Sequence, residues 1–207
     1  MFAGEIDLID WYKPNINKKI LKELSKRSDT KGLLNIMIYL IALLISGYFC
    51  ILTWGTWWAL LSFFVYGNIF YSKAISIQHE TNHETFFKSR WLNKLFYHIT
   101  SLIGGFEQVR WKWSHFHHHS YTIFTSEEEY DYENNAPRPT EPIRFLISFL
   151  PFGPLLNIQK IRHFTHFEII KHSLGVVTDV VKMTVPKEEI KRVINSSRLY
   201  VLFWLFI

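Results

Sequence analysis

Residues 32–72 read GLLNIMIYLIALLISGYFCILTWGTWWALLSFFVYGNIFYS, 41 consecutive positions without one charged side chain. A single helix of that length would run roughly 60 Å, twice the roughly 30 Å hydrocarbon core of a bilayer. Two helices joined by a tight turn fit better. Thr53-Trp54-Gly55-Thr56-Trp57-Trp58 supplies the turn, because glycine permits the bend and tryptophan favours the interface. The spans are expected near residues 33–53 and 56–74. Seven Lys or Arg precede the first, and more follow the second from Lys73 onward. The positive-inside rule then puts both ends on the cytoplasmic side and only the uncharged turn outside.

The flanking composition agrees with a membrane protein. The net charge of +5 comes from basic residues that sit mostly beside the apolar blocks. That pattern suits a membrane surface rather than nucleic acid, which calls for one concentrated basic stripe. The single cysteine, Cys50, excludes a disulfide framework and a thiolate metal cage. In the leader, residues 1–31, Ile16, Ile20, Leu21 and Leu24 share one helical face with lysines on the other. An interfacial amphipathic helix is expected there, with a helix packed on a soluble domain as the alternative. A long polar stretch before the first apolar run is the wrong order for a cleavable secretory signal.

Residues 75–195 are expected on the cytoplasmic side. Two apolar patches, Leu92 to Phe106 and Phe145 to Leu156, are too short or too broken by Pro151, Gly153 and Pro154 to span, and read as interfacial or re-entrant segments. The acidic run from Ser126 to Glu133 reads as a solvated loop, with a docking patch for a basic electron donor as the sharper alternative. Leu199 to Ile207 rises only about 14 Å as a helix and reads as a truncated third transmembrane helix. The fold class is therefore all-α and integral to the membrane. It comprises the leader (1–31) and a membrane domain (32–207), the latter a helical hairpin plus a cytoplasmic-side helical cap and a partial span at 199–207.

Two histidine clusters carry the chemistry. The first is His79-Glu80-Thr81-Asn82-His83, where a continuing helix puts both histidines on one face, one turn apart. The second is His115-Phe116-His117-His118-His119. On a helix His115, His118 and His119 share roughly a quarter to a third of the circumference, and His117 points away as a bystander. A lone histidine is an ordinary surface or core residue. Five converging imidazoles behind a transmembrane hairpin suit a first-row metal such as iron, zinc or copper.

HETNH followed by WKWSHFHHHSYT resembles the first two histidine boxes of the membrane fatty acid desaturases and related alkyl hydroxylases. Asn93, Trp111 and Thr122 resemble that family as well. The resemblance implies two iron ions held by His79, His83, His115, His118 and His119 at the cytoplasmic membrane surface, with O2 as co-substrate and an acyl chain as substrate. Glu80 would orient a ligand imidazole from behind. Electrons would come from a partner such as cytochrome b5, ferredoxin or rubredoxin. The membrane would be a bacterial inner membrane or the endoplasmic reticulum. The family carries a third box beyond two further helices, which residues 1–207 lack, so the sequence reads as a fragment that is inactive alone. His163, His166 and His172 come too early and lack the paired histidines.

Three rival readings stand beside this one, the non-enzymatic one being a membrane anchor or metal-binding scaffold whose histidines merely store metal. An alkyl or lipid hydroxylase shares the same boxes. A membrane zinc protease shares His79-Glu80-x-x-His83, but Phe86 and Ser89 stand where the metzincin continuation needs glycine and histidine, and the second cluster goes unexplained.

Overall fold

A computed structural model of the chain describes residues 15–120, 141–143 and 165–206. Among these residues the regular structure is helical throughout. Helix α1 (Lys18–Leu24) begins at Asn17, whose side chain accepts from Lys19 N at 2.9 Å and Ile20 N at 3.3 Å. It buries none of its residues, so Ile20, Leu21 and Leu24 lie open.

The uncharged run forms α2 (Asp29–Leu52) and α3 (Trp58–Asn82), joined by a short turn in which Gly55 takes φ +78°. Ser28 caps α2, and Asp29 in its first turn complements the helix dipole. The two helices pack on each other. Tyr39 Oη donates to Phe70 O at 2.8 Å, and the Thr53 and Ser62 hydroxyls lie 2.6 Å apart. Each bond satisfies inside the pair a polar group that lipid could not. Beyond the contact the helices are bare. In their most apolar 18-residue windows only 22% and 11% of residues are buried within the protein. A core helix of a soluble domain would be mostly buried, so these surfaces, with Leu44, Ile51, Leu60 and Phe64 all more than two-thirds exposed, call for a membrane.

The second helix runs past the expected end at 74 as far as Asn82, and so it carries His79 beyond the apolar stretch. There it meets α4 (Arg90–Gly104), which forms from the first apolar patch. Leu92, Asn93, Thr100, Ser101 and Gly104 are buried, while Trp91, Leu95 and Ile99 form an outward stripe beside Arg90 and Lys94.

Three devices hold the loop between α3 and α4. The Asn93 amide donates to Phe87 O (2.9 Å) and Ser89 O (3.1 Å), and its oxygen accepts from Phe87 N (3.0 Å). Asp29 accepts from Ser89 N and Oγ at 2.8 and 2.6 Å. Gly32 lets α2 approach Phe87 so closely that a β-carbon there would lie 2.5 Å from the ring.

Helix α5 (Gln108–Ser120) starts at Glu107, whose carboxylate accepts from Val109 N at 2.9 Å and Arg110 N at 2.7 Å. Then follow α6 (Thr165–Ser173), α7 (Asp179–Thr184), a 3-10 turn (Lys187–Glu189) and α8 (Ile190–Leu205). Val109, Val181, Val185 and Val193 make a second core that binds α5, α7 and α8 together. The apolar run expected from Leu199 is thus the later half of a helix that starts at Ile190 and buries Val193, Ser196 and Ser197 on the way. The acidic run, the patch from Phe145 to Leu156, Thr122 and His163 lie outside the described residues, as does the side chain of His166.

Candidate metal centre

Helix α3 delivers His79 and His83 one turn apart, then stops. Thr85 N donates to Glu80 O and Glu84 N to Thr81 O, a pair of bonds that closes the helix with Glu84 in the left-handed region at φ +54°. Opposite, α5 delivers His115 and His119, also one turn apart. One ring nitrogen from each of the four lies within 4.8 Å of all the others. The tightest part is a triangle of Nε2 atoms: His83 to His115 3.0 Å, His115 to His119 3.1 Å, His119 to His83 3.3 Å. His79 joins with its ring centroid 4.7 Å from those of His83 and His115. His115 is buried while His83 and His119 are exposed, so the group is closed on one side and open on the other.

The surroundings fix these rings. Trp111 stacks on His115 at 4.4 Å and 10°, which sets the plane of the buried imidazole. Glu80 Oε1 lies 3.5 Å from His79 Nδ1, and Glu80 Oε2 accepts from Thr85 Oγ1 at 2.7 Å. Thr85, whose N–H helps end α3, thereby also holds through its hydroxyl the carboxylate that faces a clustered histidine. Partial desolvation, together with the electrostatic influence of neighbouring His115, His79 and His119 and opposed by Glu80, holds His83 below the usual histidine range. The neutral form, which offers a lone pair, is favoured.

The donor set fits a metal ion. Each neutral imidazole carries one N–H, so three Nε2 atoms in mutual contact leave at least one contact with no bridging proton. A cation at the centre removes that conflict. Metal–imidazole bonds of about 2.0–2.1 Å place neighbouring nitrogens about 2.8–3.4 Å apart for octahedral to tetrahedral angles, a range that includes the three contacts of this triangle. An all-imidazole set suits iron, zinc or copper.

His118 sits beside this group rather than in it. Its ring lies 5.8 Å from that of His115 and 5.7 Å from that of His119. His117, on the opposite face of α5, is also outside the four. His172 is buried against Thr178, with its Nε2 2.9 Å from the Thr178 hydroxyl.

The model of the fatty acid desaturase family matches residues 55–207, which takes in all of these histidines. The chain belongs to the fatty acid desaturase family. No curated protein and no solved structure matches it. Membership brings oxidoreductase chemistry and a membrane setting, and the two apolar helices agree with the latter. A family that uses di-iron sites is compatible with this histidine cluster. The zinc-protease alternative loses its ground, since desaturase membership explains both clusters and two of the four convergent rings come from α5.

Some features of this desaturase-family site left no mark in the sequence. Thr85 is an unremarked threonine until the helix end brings it to Glu80. The buried pair Arg110–Glu168, Nη2 to Oε2 3.1 Å, joins residues 58 positions apart and belongs to no motif.

Proposed function

We propose that the chain belongs to an acyl-lipid desaturase that takes two vicinal hydrogens from an unactivated alkyl chain, using a histidine-ligated di-iron centre. The observation that carries this is the convergence of four imidazoles from two helices just beyond the apolar length of α3. His79, His83, His115 and His119 would hold one ion, and His118 with further donors would serve the second. When bound, the irons supply the reduction of O2 and the oxidant for the C–H bonds.

The overall balance is one alkyl chain, one O2, two electrons and two protons giving one alkene and two waters. The residues of this chain bind, orient and shield. Glu80 faces Nδ1 of His79 and favours the tautomer whose other nitrogen is free to bind. Trp111 keeps the His115 plane fixed and excludes water from the closed side. The lowered proton affinity of His83, caused chiefly by its partial desolvation, favours a nitrogen free to bind metal. Electrons come from a separate donor protein on the cytoplasmic side, the side that the basic leader assigns to the site.

The test is lipid analysis of a host expressing the full protein. New monounsaturated acyl chains, absent when His115 is replaced by Ala, would support the reading. A hydroxylated product with no alkene would move the assignment to the hydroxylases. An unchanged lipid profile despite a folded, iron-loaded protein would count against both.

A further inference from the structure

Helix α5 presents two unlike faces. At 100° per residue Arg110, Ser114 and His117 fall within about 60° of one another, while His115 and His119 centre about 160° from Arg110. On the first face Arg110 and Glu168 form an ion pair whose side chains are only 7% and 6% exposed. Arg110 Nη1 also donates to Ser114 Oγ at 3.0 Å, within α5 itself. Glu168 accepts from Thr178 Oγ1 at 3.1 Å, and the Thr178 oxygen in turn meets His172 Nε2 at 2.9 Å. One buried network therefore ties α5 to α6 and to the residue that opens α7.

The pair is poorly explained as a stabiliser. Desolvating two charges costs about as much as their attraction returns, and well-packed apolar residues in their place are often neutral or better. What such a pair adds is registry, since a buried charge must stay beside its partner whereas apolar contacts can slide past one another. Registry matters on this helix. Ring nitrogens lie about 5–6 Å from the helix axis, so a 20° roll of α5 would move them by about 2 Å. A working site tolerates about 0.5 Å.

We propose that Arg110 and Glu168 are positioning residues for the metal centre: together they set the roll of α5 that turns His115 and His119 toward His79 and His83. The proposal rests on the metal reading of the four histidines given above.

The experiment is Co2+ titration of the purified full chain, read by visible absorption for affinity and ligand geometry, with thermal unfolding measured alongside. Three proteins are compared: the unaltered chain, Glu168→Gln, and the apolar pair Arg110→Met with Glu168→Leu. Positioning predicts about tenfold or greater weakening of Co2+ binding and displaced absorption bands in both variants. It predicts this even where the apolar pair unfolds at or above the unaltered temperature. Unaltered affinity and bands in the apolar pair would overturn the proposal, because packing alone would then suffice. Failure of the unaltered chain to take up Co2+ would instead strike the metal reading, and the proposal with it.

Discussion

Replacing Asn93 with Ala removes three hydrogen bonds at once, all to the loop that follows His83. Asn93 is 1% exposed, and its partners are Phe87 N, Phe87 O and Ser89 O. Phe87 is itself fully buried, so its N–H and C=O would find no water in exchange. An unsatisfied buried donor or acceptor costs about 1–3 kcal/mol, and relaxation at Ser89, which is less buried, recovers part of the total. The expected loss is about 2–4 kcal/mol. For a chain of this size that corresponds to a fall of roughly 5–15 °C in Tm. Tryptophan fluorescence during thermal unfolding in detergent reads it directly. Asn93→Asp should fare no better, since a carboxylate accepts from Phe87 N but sets negative charge against two carbonyl oxygens. A fall of less than about 2 °C in both variants would show that the loop keeps its shape without the amide clamp.

Gly32→Ala should cost about 1–3 kcal/mol by overpacking, because the new β-carbon meets Phe87, whose buried ring is stacked on Phe96 at 5.1 Å and has nowhere to turn. The same unfolding assay checks it. Glu84→Gly should raise stability by about 0.5 kcal/mol, relief of the left-handed backbone outweighing glycine's entropy cost, since the exposed contact with Arg90 contributes little. A lower Tm would assign the Glu84 side chain a role of its own. Acid should destabilise the protein through His172, held at about 4 by burial and by neighbouring Arg110 and Lys171 against 6.5 when unfolded. As pH falls from 6.5 to about 4 the unfolded chain takes a proton that the folded one refuses, for a loss approaching about 3 kcal/mol, complete below the folded value. His172→Asn should remove that part of the acid slope. An identical slope would place the acid sensitivity elsewhere.

Much of the fold was legible because its signals are local. An uncharged run too long for one helix must bend, and glycine among tryptophans marks where, so α2 and α3 meet at Gly55 within the expected turn. The continuation of α3 to Asn82 was legible only through the spacing of His79 and His83, since hydropathy falls away before them. The site was legible as far as helical spacing reaches. The i,i+4 pairs on α3 and α5 point inward together, and a wheel also admits His118 to the same arc. The arc does not say where along it the partner helix lies. In the structure that point falls between His115 and His119, leaving His118 at the edge of the group. Contacts such as Arg110–Glu168 depend on how α5 and α6 are brought together and have no periodicity to betray them. The glutamate at Glu84 departs from the glycine that usually ends a helix this way, so the stop was invisible until the backbone showed it.

Iron content tests the central claim most directly. Full protein purified without chelators and analysed for metal per folded chain should carry iron, with His115→Ala and His119→Ala each losing it and His117→Ala retaining it. Iron retained by both His115→Ala and His119→Ala would contradict the account, for the metal would then be held by residues other than the four that converge here.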